Sequence, residues 1–150
     1  MPDAEAVYGN FQRVDNDRKP QHTKWTSSMP SGDIFPAVAK GMTGILRTLL
    51  VRYSRVRDLG FMDVSLPMYD GFWLTIQLAA QTRFVYVDEV LMHKRDHVAS
   101  DSKIGDAARH LSDLRIIHGK LQPLLRQNVS MGEAGAINEK WRRRFGRSGF

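Results

Sequence analysis

The sequence contains no cysteine, and this absence removes several classes of protein at once. Disulfide frameworks, thiolate zinc sites and cysteine nucleophiles all require a thiol. The sequence also has no stretch close to the roughly 18 uninterrupted apolar residues that a membrane-spanning helix needs. Its first residues are acidic and lack the apolar segment of a signal peptide. We therefore expect a soluble protein of a reducing compartment, the cytoplasm.

The residues that are present have the balance of a globular domain. Apolar residues make up 42% and charged residues 25% of the 150 residues, which fits one domain and excludes wholesale disorder. The net charge of +6 is uneven, because residues 1–75 carry a net +1 and residues 76–150 a net +5. Much of this excess lies between residues 140 and 147. The basic character therefore belongs to the C-terminal end, and it permits nucleic-acid binding without implying it.

Residue patterning predicts an α/β fold with a few mixed strands, flanking helices and a long C-terminal helix. Strands are predicted over 6–14, 46–53, 84–87 and 90–92, with a break at Asp88-Glu89 and a loop over 18–32. Helices are predicted over 34–41, 55–59, 71–81 and 104–125.

The longest helix rests on an apolar stripe at helical spacing that runs from Ile104 to Leu125. Pro123 should kink or end this helix, because proline lacks the amide hydrogen and clashes with the preceding turn. Residues 128–136 are small and polar and predict a linker. Residues 137–150 are basic with interleaved aromatic side chains, and we expect a solvated tail there.

The middle of the chain carries an ordered series of motifs. Gly-Phe-Met-Asp at 60–63 precedes Tyr69-Asp70, which opens the aromatic helix predicted from residue 71. The strand at 84–87 then leads to Lys-Arg-Asp-His at 94–97 and to the serines of 100–102. This order resembles the C-terminal half of the family 2 glycosyltransferases, which have the nucleotide-diphospho-sugar transferase fold.

The resemblance covers about residues 5–103 and departs from the family pattern in three places, one of which is Met62, which separates Phe61 from Asp63. Tyr69-Asp70 stands where the family has Glu-Asp, and Leu59 stands where it has the first glycine of a pair. The matched stretch begins after the family's nucleotide-binding strands and its Asp-x-Asp metal motif. The resemblance therefore implies that residues 1–127 form the acceptor-side half of a transferase domain, either truncated or completed by a second chain.

The resemblance also implies roles for individual residues. Asp70 would be the base that removes a proton from the acceptor hydroxyl, and Tyr69 would line the acceptor site. Arg95 and His97 would face the diphosphate of a nucleotide-sugar donor, where positive charge helps the leaving group. Residue type alone favours an ordinary helix cap for Asp70 over a catalytic base, and it leaves a solvated polar edge open for Arg95 and His97.

Asp15 and Asp17 have the literal Asp-x-Asp spacing, and in the full family such a pair holds Mg or Mn on the diphosphate. Here the flanking residues are basic and polar, which is typical of a hairpin turn. We interpret residues 15–17 as a turn, so no metal ligands are assigned to this chain.

Two other functions compete with sugar transfer. The chain could be a non-catalytic interaction module or remnant that keeps the fold and not the reaction. It could also be a small basic nucleic-acid-binding protein that uses Arg142 to Arg144. The same basic end could make a weak contact with a membrane surface.

Overall fold

A long first strand organises the fold. The computed structural model describes residues 4–23, 29–95 and 107–146. Within these ranges the strands are β1 (Ala4–Val14), β2 (Pro20–Thr23), β3 (Leu50–Val51) and β4 (Arg83–Arg95). The helices are α1 (Phe35–Ala39), α2 (Tyr53–Asp58), α3 (Asp70–Ala79), α4 (Ala107–Asn128) and α5 (Met131–Gly146), with a 3-10 turn at Ile45–Arg47.

The four strands of the described ranges form one mixed sheet around β1. β4 pairs with β1 in parallel along the whole length of the strand, with Tyr8 opposite Tyr86. β2 and β3 are antiparallel to β1 and share its other edge, β3 opposite Ala6 and β2 opposite Val14. The predicted α/β class with few mixed strands is confirmed at this level.

The predicted break at residues 88–89 is a bulge within one continuous strand. Gly9 pairs with Val87, but the next residue, Asn10, pairs with Val90. The two acidic residues between them are therefore extra on β4 and bend the strand without ending it. The prediction of two separate strands, 84–87 and 90–92, is therefore wrong, because β4 pairs with β1 on both sides of the bulge.

Side-chain hydrogen bonds hold this bulge. The Asp88 carboxylate accepts from Asn10 Nδ2 at 2.9 Å and from the Tyr86 hydroxyl at 2.8 Å. Gly9 is packed closely here, since a Cβ at that position would lie 2.9 Å from the Val87 carbonyl oxygen. The absence of a side chain at Gly9 thus lets the two strands approach at the bulge.

The hydrophobic core lies between one face of the sheet and helices α1, α3, α4 and α5. Tyr8 and Phe84 contribute the sheet side, and their rings meet edge to face with centroids 6.1 Å apart. The helices contribute fully buried aliphatic side chains: Val38, Ile76, Leu78, Ile117, Leu121, Leu125 and Ile137. All of these belong to a single cluster, so α4 and α5 are part of the same core as the sheet.

The sequence prediction for α3 and α4 is confirmed. α3 begins at Asp70, one residue before the predicted start, and most of its side chains are buried. α4 buries Leu114, Ile117, Leu121 and Leu125 of the predicted stripe. Leu111 and Leu124 are only half-buried, Ala108 is exposed, and Ile104 lies outside the described residues. In the described ranges, no helix is both long enough and apolar enough to cross a bilayer.

Two features of the C-terminal end differ from the expectation. Of the two outcomes expected at Pro123, a kink or an end of the helix, the end is wrong, because α4 continues to Asn128 with the proline side chain exposed. Residues 131–146 of the expected linker and solvated tail instead form α5. Residues 147–150 lie outside the described residues. Ile137 and Trp141 are buried, because this one face of α5 packs against the core.

Two shorter segments also differ from the prediction. The predicted strand over 46–53 consists of the 3-10 turn, the two residues of β3 and the start of α2. The predicted loop over 18–32 contains β2, which completes a hairpin with β1. The polar composition of β2 did not indicate a strand, since a short edge strand needs few apolar side chains.

Candidate functional site

Asp70 is the first residue of α3, directly after the loop that begins at Phe61. The Tyr69 amide donates to the Leu66 carbonyl at 3.0 Å, and the Trp73 amide donates to the Tyr69 carbonyl at 2.9 Å. Leu66 is fully buried and holds the end of the loop that leads into α3. The half-buried Asp70 accepts a 2.6 Å hydrogen bond from the Gly71 amide at its Oδ1. The backbone therefore holds the carboxylate at the beginning of the helix.

The first turn of α3 is packed tightly against the 3-10 turn. A Cβ at Gly71 would lie 2.2 Å from Leu46 Cδ2, so a larger residue would require a rearrangement. The buried Thr75 hydroxyl donates to the Gly71 carbonyl at 2.7 Å. These contacts fix the position of Asp70 relative to the 3-10 turn.

A cavity of about 620 Å³ lies beside Asp70. Its lining side chains come from the 3-10 turn, the loop before α3, the first turns of α3 and α4, and the end of α5. The ionisable side chains of the lining are those of Arg47, Tyr69, Asp70, His110 and Arg144. The volume is within the range of roughly 300–1,000 Å³ that is typical of small-molecule sites.

Aromatic rings orient the basic side chains of this cavity. The Arg47 guanidinium lies 5.2 Å from the centroid of the Phe11 ring, and that of Arg144 lies 5.8 Å from the Trp141 ring. His110 packs edge to face on the ring of Tyr69 with centroids 5.5 Å apart. Arg47, Asp70 and Arg144 thus line the same cavity.

The structure brings together only part of the predicted site. Tyr69 and Asp70 line the same cavity. Arg95 is exposed at the end of β4, opposite Val14, and is not among the described residues that line the cavity. His97 lies outside the described residues. The diphosphate roles of Arg95 and His97 therefore remain predictions.

The turn interpretation of residues 15–17 is confirmed. Asp15 Oδ1 accepts hydrogen bonds from the amides of Asp17 and Lys19, each at 2.9 Å, and closes the β1–β2 hairpin. In the part of the chain that the structure describes, no three His, Asp or Glu side chains are grouped so that they could hold a metal ion.

Sequence patterns do not point to the other cavity residues. By its place in the amphipathic sequence of α4, His110 is expected to be a partly exposed structural residue, and Arg144 is one of several arginines near the C-terminal end. Arg47 lay in a predicted strand. No local spacing connects positions separated by 63 and 34 residues along the chain. Only their packing around the start of α3 shows that they share one cavity.

Comparisons of this chain with protein-family models, with curated proteins and with solved structures find no match.

Proposed function

We propose that this chain supplies the acceptor side of an inverting, family 2-like glycosyltransferase. The observation that supports the proposal best is the carboxylate of Asp70, which is held at the start of α3 and borders a cavity of about 620 Å³. The sequence resemblance assigns the base to this same position. The two observations are independent, because the resemblance rests on residue order and the cavity on packing.

The proposed chemistry needs one carboxylate beside the acceptor. Asp70 accepts the proton of the acceptor hydroxyl while that oxygen attacks the anomeric carbon of the donor. The bond from the anomeric carbon to the diphosphate oxygen breaks, and the nucleoside diphosphate leaves with the bonding electron pair. Attack from the opposite face inverts the anomeric configuration. Tyr69 lines the acceptor side, where its ring offers a surface for a sugar.

Donor binding is assigned to polypeptide outside the described residues. Asp15 and Asp17 are engaged in the hairpin turn, so we derive no step through a metal ion at that pair. The donor would be a nucleotide-sugar held by a donor-binding half, in this chain's natural context or from a second chain. We expect the reaction to take place in the cytoplasm.

A non-catalytic interaction module is the second candidate, and exposed apolar side chains favour it. Val64 is 94% exposed, Leu50 73% and Tyr53 68%. The ring of Tyr53 also contacts that of Phe61, with centroids 6.0 Å apart. Contiguous exposed apolar side chains, such as the pair Tyr53 and Phe61, are typical of contacts with another protein. Under this alternative, substitution of Asp70 would leave the function unchanged.

The decisive experiment is a transfer assay on a fusion of this chain to the donor-binding half of a family 2 enzyme. We expect Asp70→Asn to lower transfer to sugar acceptors by about 10²- to 10⁴-fold, while donor affinity stays the same. Asp58→Asn is the matched control, since Asp58 is an exposed carboxylate that pairs with Arg57. Wild-type rates in Asp70→Asn, or no transfer by a fusion that binds donor, would contradict the proposal.

A further inference from the structure

The loop that leads into α3 is joined to helix α4 near both of its ends. Near its beginning, the Asp63 carboxylate pairs with the ammonium group of Lys120. Near its end, the Met68 amide donates a hydrogen bond to Asp113 Oδ2 at 3.0 Å. The loop therefore runs along α4 in the reverse direction, and its last residues are bound to the helix through Asp113.

Asp113 is exceptional in α4 because its carboxylate is buried. The residue is 3% exposed and neighbours Leu114, which belongs to the hydrophobic core. A carboxylate loses its hydration when it is buried, and an apolar side chain in its place often costs no stability. Packing of the core therefore gives no reason for a carboxylate at this position. The Met68 amide does give one, because a backbone N–H that is removed from water needs an acceptor.

The hydrogen bond to Asp113 lies two residues before Asp70. The next amide, that of Tyr69, donates to the Leu66 carbonyl at 3.0 Å. Asp70 follows directly and accepts from the Gly71 amide at 2.6 Å. Because only Tyr69 separates Met68 from Asp70, a displacement of Met68 would move the start of α3 and its carboxylate together.

Asp113 acts on the site through the backbone. Met68, Tyr69 and Asp70 line the cavity, whereas Asp113 is not among the described residues that line it. We propose that Asp113 is a positioning residue, whose buried carboxylate holds the Met68 amide and thereby sets the place of Asp70 relative to the acceptor. This inference rests on the proposed function. It adds a residue of α4, which lies beyond the stretch that the sequence resemblance covers.

The first test follows the hydrogen bond in the full 150-residue chain and requires no turnover. Asp113→Ala removes the acceptor, and we expect hydrogen exchange of the Met68 and Gly71 amides to become at least about tenfold faster, because this segment opens locally. Asp113→Asn keeps an acceptor oxygen and should retain most of the protection. Ile117→Val is the matched control, since it trims a buried side chain of the same helix and should leave both amides protected. The amide of Ile76, inside α3, reports any general loss of stability.

The second test measures transfer by the fusion to a donor-binding half. Asp113→Ala should lower kcat by about 10- to 100-fold with little change in the acceptor KM, because a base displaced by about 1 Å has such a cost. Asp113→Asn should recover most of this rate, and Ile117→Val should turn over as the wild type does. Should Asp113→Ala not fold, Asp113→Leu takes its place, since leucine fills the buried space and also lacks the acceptor.

Three results would overturn the inference. One is unchanged protection of Met68 and Gly71 in Asp113→Ala, and another is an equal loss in Ile117→Val. The third is a normal kcat in Asp113→Ala while Asp70→Asn abolishes transfer, which would leave the proposed function standing without Asp113. Transfer by Asp70→Asn at the wild-type rate would instead reject the proposed function. Faster exchange in Asp113→Ala would then still confirm that Asp113 holds the start of α3.

Discussion

Asp63 illustrates how single contacts set the properties of the loop before α3. Its carboxylate pairs with the ammonium group of Lys120 on α4 and accepts from the Ser65 hydroxyl at 2.6 Å. The Lys120 nitrogen also lies 5.9 Å from the centroid of the Trp73 ring. The ammonium group, followed by the Ser65 hydrogen bonds, lowers the pKa of Asp63 to about 2.

This shift predicts an acid dependence of stability. The folded-state pKa is about 2, below the ordinary 3.8, so the stabilisation is present above pH 4 and is lost as the pH falls from about 4 to about 2. Asp63→Asn should lower the free energy of unfolding at neutral pH by less than about 1 kcal/mol, since the pair is partly exposed. Urea denaturation at a series of pH values measures the difference, which should close near pH 2. Asp58→Asn is the control, and a gap that stays constant with pH would contradict the prediction.

Gly71 gives a second prediction at the level of one residue. Gly71→Ala places a Cβ 2.2 Å from Leu46 Cδ2, so the Leu46 side chain, α3 or the 3-10 turn must shift. We expect a loss of about 1–3 kcal/mol in the free energy of unfolding. Gly119→Ala in α4 is the matched control, because a Cβ there meets nothing within 4 Å and should stabilise the helix by about 0.5–1 kcal/mol. Thermal and chemical denaturation compare them, and equal stabilisation by both changes would show that Leu46 yields without cost.

Helix α5 shows how one element is held by a few contacts. Trp141 is 2% exposed, and its Nε1 donates to the Ala39 carbonyl of α1 at 2.8 Å. Its ring lies near those of Phe72 and Phe145, with centroids 6.4 Å and 5.9 Å away. The opposite face of α5 carries exposed arginines. The helix is therefore amphipathic. Its aromatic side covers surfaces of α1 and α3 that would otherwise be exposed to solvent.

The hydrogen bond from Trp141 can be tested apart from the packing of its ring. Trp141→Phe keeps an aromatic side chain but leaves the Ala39 carbonyl without this partner, at an expected cost of about 1–3 kcal/mol. Trp141→Ala should cost about 3–5 kcal/mol. Arg142→Ala on the exposed face of the same helix should change stability by less than about 0.5 kcal/mol. Unfolding curves with the same stability for Trp141→Phe and wild type would argue against the hydrogen bond.

At the scale of the whole molecule, the sheet and all the long helices share one core. Leu121 and Leu125 of α4 and Ile137 of α5 belong to the same buried cluster as Tyr8 of β1. The structure therefore gives no reason to expect independent unfolding of the C-terminal helices. A domain boundary after residue 127, which the composition of the sequence favours, would separate residues that belong to this one cluster.

Truncation tests this unity. A chain that ends at residue 127 exposes the α4 and α1 surfaces that α5 covers, so we expect a lower melting temperature and a broader transition than in the full chain. Circular dichroism and calorimetry of both chains measure the effect. Arg143→Ala in the full chain is the control, since it changes charge on α5 without changing its buried face. A truncated chain that melts as the full one does would support a separate C-terminal segment.

Local sequence was sufficient to predict those elements whose defining contacts lie within a few residues of one another. The apolar spacing in α3 and α4 predicts both helices, because a helical stripe repeats within a few residues. Asp15 predicts the hairpin turn through hydrogen bonds to amides only two and four residues away. The position of Asp70 at the start of a helix follows in the same way from the sequence. These features depend on short-range contacts, which the order of residues determines by itself.

Tertiary structure decided the features that depend on distant partners. β4 continues through Asp88 and Glu89 because β1 pairs with it on both sides of the bulge. α5 packs on the core because Trp141 Nε1 donates to the Ala39 carbonyl, which is 102 residues away in the chain. The cavity beside Asp70 acquires Arg47 and Arg144 only when the 3-10 turn and α5 meet around α3. No local pattern encodes such meetings, since the free energy that fixes them comes from burying surfaces that lie far apart in the chain.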